Sequence, residues 1–188
     1  MEGKPKLRMT VLCEDRLQER FARGLCQRYG YNRVNFKVSP SGKGDAKKWV
    51  IANAPAFVAE RRRKNRQLHL GLLILVDGDG DGCEASRREF EAKITEQGMA
   101  GRGPDETVAL FAPTWSIETW LAHLAQPAGG PPLTEDRSLK EDSQLRRMWD
   151  EPEVTTATLK AAVNAWRRPG VGPRSLTHAY DEAVRIGL

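Results

Sequence analysis

The sequence predicts an α/β protein, with a parallel sheet covered by helices on both faces and a helical extension behind it. Three observations carry this. Strand-like and helix-like patterns alternate from residue 7 to residue 125. The segment "HLGLLILV" (69–76) is apolar almost throughout, as a buried strand is. After a Pro/Gly-rich connection at 126–138, the remaining chain reads as helical. The length of 188 residues suits one compact domain with an extension, divided here as 1–125 and 126–188.

The first element, "LRMTVLC" (7–13), is a strand. Residues 14–30 follow with Leu17, Phe21 and Leu25 at helical spacing and Gly30 as the stop. "RVNFKVS" (33–39) alternates like a second strand, and "SPSGKGDAKK" (39–48) is a glycine-rich loop. The helix that follows, 46–67, contains Pro55 as a kink or break. Strand 69–76, a polar helix at 84–98 closed by Gly98, strand 106–113 and a short helix at 115–125 complete the alternation. In the tail, 139–149, 155–166 and 175–188 each read as a helix. Parallel strands joined by right-handed crossovers place ligands at the carboxyl ends of the strands.

The chain is basic, with a formal charge of +5 and a pI near 9.3, so the acidic cluster at 77–81 stands in a positive background. That contrast suits a polyanionic partner, although many basic soluble proteins bind no nucleic acid. Cys13, Cys26 and Cys83 show no CxxC spacing, which argues against a disulfide framework or a zinc knuckle and for a reducing compartment. There is no apolar run of the ~18–20 residues that a membrane span needs, and the polar start is unlike a signal peptide. The expectation is a cytoplasmic protein with no membrane partner.

The chemistry is concentrated in "LLILVDGDGDG" (72–82). D-x-D-x-D-G also opens an EF-hand loop, but the twelfth position, which should be a bidentate Glu, is Arg88, and the residues in front are strand-like. Asp77 and Asp79 lie two apart at a strand exit, on one side if the chain stays extended, with Asp81 beyond them. Glu14 follows the first strand and so lies at the same rim. Oxygen-only donors suit Mg²⁺ or Mn²⁺, whereas His69, His123 and His178 are scattered singly. Phosphodiester hydrolysis requires such carboxylates to hold metal, while an acidic glycine-rich turn can also be merely solvated.

Basic residues supply candidate phosphate contacts. The glycine-rich loop carries Lys43, Lys47 and Lys48 and lacks P-loop spacing, and Lys43 is a candidate for stabilising a phosphate or leaving group. Arg61, Arg62, Arg63, Lys64 and Arg66 fit either a nucleic-acid surface or a helix C-terminus whose dipole attracts cations. The tryptophans read chiefly as core anchors, and Cys13 and Cys83 as small buried residues.

Together, the Glu of "VLCEDRLQERF" and the D-x-D of "LLILVDGDGDG" resemble the two motifs of the Toprim (topoisomerase–primase) family. "SGKGDAKKW" and "WSIETWL" are similar to segments of its small stand-alone members, and the resemblance covers residues 7–125. It implies a Rossmann-like Toprim fold with a four-stranded, mainly parallel sheet. It also implies metal-dependent cleavage, rejoining or synthesis of DNA or RNA strands. In the branch resembling overcoming-lysogenization-defect nucleases, it further implies phage defence beside an ATPase. By position, Glu14 is the first-motif acid, Asp77 and Asp79 the metal pair, and Glu118 the acid that completes the site. Glu118 can otherwise lie exposed beside the apolar face of Ile117, Trp120, Leu121 and Leu124. The family's Gly after the first Glu is here Asp15, so either the turn differs or Asp15 adds a ligand. The expected function is a Mg²⁺-dependent nuclease. The alternatives are a catalytically inactive regulatory or nucleic-acid-binding subunit and a primase-type nucleotidyl transferase, for which the chain is short.

Overall fold

The computed structural model describes residues 8–40, 45–64, 70–127, 134–140, 142–143, 145–166 and 172–188. Strands β1 (Arg8–Cys13), β2 (Arg33–Val38), β3 (Leu70–Leu75) and β4 (Val108–Phe111) form one sheet in the order β2-β1-β3-β4. Every pairing is parallel, with Val11 opposite both Phe36 and Leu73, and Leu73 opposite Ala109. The fold is α/β and Rossmann-like.

Helix α1 (Arg16–Arg28) links β1 to β2, α2 (Ala46–Lys64) links β2 to β3, and α3 (Gly82–Glu96) links β3 to β4. The chain first moves outward from β1 to β2 and then returns past β1 to β3. Right-handed crossovers in opposite directions put α1 on one face and α2 and α3 on the other. The side chains of β3 show it. Leu73 and Leu75 point into a core with Phe21, Leu25 and Phe111, while Leu72, Ile74 and Val76 point into a second core with Val50, Val58 and Phe90. The strand is buried on both faces, which explains its unbroken apolarity.

Helices α4 (Ile117–Ala125), α6 (Pro152–Ala165) and α7 (Arg174–Ile186) complete the α1 face. Trp166, just after α6, stacks on Phe111 at 5.5 Å between centroids, meets Phe21 edge-on at 5.7 Å and lies 4.2 Å from Tyr180. This aromatic cluster fastens the tail to the sheet. Edge strand β4 is covered by side chains. The Leu110 N–H donates to Glu182 Oε2 at 2.7 Å, and Arg102 donates to the Val108 carbonyl at 3.1 Å.

Two expectations change. The helix read at 139–149 is, among the described residues, only the four-residue α5 (Arg147–Asp150). The chain before it is committed to side-chain contacts elsewhere, with Glu135 on Ser175 and Lys140 on Asp77. Pro55 does not break α2, which runs continuously through it. Among the described residues, no helix is long and apolar enough to cross a membrane.

Candidate functional site

Strand order fixes the place of the site. The chain reverses its winding direction between β1 and β3, and at such a switch point the crossovers diverge and leave a crevice at the carboxyl ends. Glu14 leaves β1 there, and Asp77 leaves β3 beside it. The two are joined directly, since the Asp77 N–H donates to Glu14 Oε1 at 2.6 Å.

Asp77 is the buried centre, only 2% exposed. Its Oδ1 accepts from Gln18 Nε2 at 2.9 Å and from the Ile117 N–H, the first peptide of α4, at 3.2 Å. Its Oδ2 accepts from Lys140 Nζ at 2.6 Å. Gln18 also orders the neighbouring turn, its Oε1 accepting from the Glu14 N–H at 2.9 Å. Asp15 has a different task, capping α1 by accepting from the Gln18 N–H at 2.9 Å. Its backbone is extended, at φ −144°, so the position does not need glycine.

Beyond Asp77 the strand geometry ends, contrary to the extended arrangement expected for the acidic pair. Asp79 adopts φ +52°, alone among the described non-glycine residues in having positive φ, and sits exposed in a tight turn. Its N–H donates to the Trp115 carbonyl at 3.0 Å, and that of Gly80 to the Thr114 carbonyl at 2.9 Å. Glycine is needed at 78, because a Cβ there would stand 2.2 Å from the Pro113 carbonyl oxygen. The close approach locks the acidic turn against the segment that leads into α4, and α4 brings Glu118. That residue is buried, not exposed beside the apolar face, and its Oε2 has no hydrogen-bond partner among the described residues.

The charges do not balance locally. Burial, reinforced by Asp77, pushes the Glu14 carboxyl up to about 8. Burial raises Asp77 as well, against Lys140, and it raises Asp79 and Glu118, with Asp77 adding to both. Lys140 is held above its ordinary value, against the effect of burial, by Asp77 and Glu118. Lys47, half-buried at the start of α2, faces Asp79.

A divalent cation fits this donor set. All four acids are oxygen donors, both Asp77 oxygens already accept hydrogen bonds, and the buried Glu118 Oε2 has no partner among the described residues. Among the described residues no three of these carboxylates bring oxygens within 4.8 Å of one another, so they form a rim and not a closed cage. Mg²⁺ is commonly held in this way, by one or two carboxylates with water and phosphate completing the shell.

The other expected residues lie apart. Asp81 is exposed at the start of α3, where its side chain makes no capping bond. Lys43 and Arg66 lie outside the described residues. Lys48 is exposed and pairs with Asp45 at 3.1 Å. The basic run does not form one phosphate-facing surface beside the acids. Arg61 is buried at the amino end of the sheet, where it bonds to Thr107 and Glu106, and Arg62 chelates Glu106 at 2.8 and 2.9 Å. Both meet a half-buried carboxylate that sequence spacing does not reveal. Lys64 pairs with Glu60, and Arg63 is exposed. A cavity of about 500 Å³ opens at this same amino end, lined in part by Arg8, Arg33 and Glu60. Cys13 is inert, its thiol pushed up to about 12 by burial, with Asp15 adding to the effect.

Sequence reading missed Gln18 and Lys140. Gln18 had a signal, since its spacing to Phe21, Ala22 and Leu25 places it on the buried stripe of α1. Lys140 had none, because its partner is distant in sequence and its segment reads as helix. No family model, characterised protein or solved structure matches this chain.

Proposed function

We propose that this chain is a Toprim-like, Mg²⁺-dependent nuclease that hydrolyses phosphodiester bonds of DNA or RNA. The observation that carries the reading is the meeting of Glu14, Asp77, Asp79 and Glu118 at the β1/β3 switch point, where, among the described residues, acids outnumber the cations in contact with them. Exposed Asp79 and Glu118, whose Oε2 has no hydrogen-bond partner among the described residues, are the carboxylates that would hold the metal, one or both of them with water and phosphate completing the shell. Bound there, Mg²⁺ neutralises charge on the attacked phosphate and acidifies water.

The chain's own groups do the rest. Gln18 and the start of α4 hold Asp77 rigid, so the acids keep their spacing when substrate enters. Glu14, fixed through Oε1, presents Oε2 to take a proton from water. Lys140 offsets part of the charge of Asp77 and, 44% exposed, presents its ammonium to an incoming phosphate. Lys47 adds positive charge beside Asp79. An ATPase partner and a role in phage defence rest on the family resemblance alone.

The test is cleavage of plasmid DNA and of RNA by the full chain with Mg²⁺ or Mn²⁺. Expected is cleavage that a chelator stops and that Glu14→Gln and Asp77→Asn each reduce by about 100-fold or more. Cleavage that survives both substitutions overturns the assignment.

One observation favours a second reading, an inactive Toprim-like regulatory subunit. Lys140 already gives Asp77 a cation, and both Asp77 oxygens are bonded without metal. That reading predicts polyanion binding with no turnover under any metal.

A further inference from the structure

At the edge of the sheet beyond β4, a helix from each face meets the other. There the first turn of α3 supplies Cys83 and Glu84, and α7 supplies His178. We infer that Cys83, Glu84 and His178 form a binding site for Zn²⁺ or a similar borderline transition-metal ion, separate from the carboxylate rim.

The donor atoms carry the inference. A sulfur, a carboxylate oxygen and a ring nitrogen all lie within 4.8 Å of one another. His178 Nε2 and Glu84 Oε1 are 3.5 Å apart, long for a hydrogen bond. It is also the separation of two ligands sharing one ion, because tetrahedral Zn²⁺ with bonds of about 2.0–2.3 Å spaces its ligands by roughly 3.3–3.8 Å. The carboxylate is already oriented. Arg87 holds Glu84 Oε2 at 2.8 Å, which leaves Oε1 turned to the imidazole, as groups around a metal commonly orient its ligands.

Donor chemistry selects the ion. Thiolate and imidazole together favour Zn²⁺ over Mg²⁺ or Ca²⁺. Three protein ligands leave a fourth position for water. The ligands are reachable, with His178 42% and Glu84 36% exposed, and Cys83 is half-buried, whereas Cys13 and Cys26 are buried. A small cleft of about 30 Å³ separates the two helices here, with Ser175 and Glu182 in its wall. An ion bound here would tie α7 to α3 and keep Glu182 on edge strand β4.

The site is tested by titrating tag-free, metal-free full chain with Co²⁺ in excess Mg²⁺, which keeps the carboxylate rim supplied. Expected is one equivalent of Co²⁺ with a thiolate-to-cobalt charge-transfer band and the visible bands of a tetrahedral ion, all displaced by Zn²⁺. Cys83→Ser should abolish the charge-transfer band, and His178→Ala should weaken binding by at least about tenfold. Asp77→Asn should leave the spectrum intact, whatever becomes of cleavage. Zn²⁺ should raise the unfolding temperature of the native chain and not that of Cys83→Ser. An octahedral spectrum without charge transfer, or an unchanged titration in Cys83→Ser, overturns the assignment. Circular dichroism of each variant checks that the fold is retained.

Discussion

The two ends of the sheet handle buried charge in opposite ways. At the amino end, Arg61 and Arg62 converge on Glu106, and the site is closed by Thr107 and by the Gly103 N–H on Glu106 at 3.2 Å. Burial opposes it, yet the Arg62 guanidinium holds the Glu106 carboxyl below its ordinary range. At the carboxyl end, Glu14, Asp77, Asp79 and Glu118 all sit above theirs, because burial and mutual repulsion exceed what Lys140 and, at Asp79, Lys47 supply. A matched cluster holds structure together. An unmatched one at a switch point is a candidate functional site, and the nuclease reading would balance it with Mg²⁺.

The largest effect should come from disturbing the matched end. Glu106→Ala removes the carboxylate that Arg62 meets at 2.8 Å and Arg61, whose side chain is 6% exposed, at 3.4 Å. The expected loss is about 3–5 kcal/mol in urea unfolding, as for a broken buried pair. A loss below about 1 kcal/mol would place this cluster among ordinary surface pairs and remove the contrast.

At the unmatched end, pH should act in the reverse sense from acid denaturation. Glu14 titrates near 4.5 when unfolded and about 8 when folded, so the folded state holds the proton more tightly between those values. The stability this contributes is complete below the unfolded value and is lost as pH rises toward about 8. Thermal unfolding across that range should show the decline, Glu14→Gln should flatten it, and Mg²⁺ should reverse it. Superimposable profiles for the native chain and Glu14→Gln would contradict the charge imbalance.

The smallest effect separates Asp15 from the acids beside it. Asp15→Ala removes an N-cap and should cost about 1 kcal/mol in unfolding while leaving cleavage unchanged. Lost cleavage with intact stability would move Asp15 into the metal shell.

The architecture was legible because it follows from local periodicity. The alternating sides of Leu72–Val76 and the stripe of Phe21 and Leu25 are set by strand and helix geometry, and they fix a doubly covered parallel sheet. The acids at the strand exits were legible for the same reason, since parallel strands bring their carboxyl ends to one rim. Three features were not. The arginines of α2 carry the composition of a phosphate-binding surface, and only tertiary packing turns Arg61 and Arg62 onto Glu106. Asp79 leaves the strand because its turn is pinned to Thr114 and Trp115, residues distant in sequence. Lys140 lies in a segment that reads as helical, and its partner Asp77 is 63 residues away in sequence.

Calorimetric titration of Mg²⁺ into the full chain tests the central claim most directly, with the Asp79→Asn/Glu118→Gln double variant as reference. Saturable binding to the native chain that disappears in the double variant is the predicted result. Equal heats for the two proteins, or no binding to either, would contradict the account.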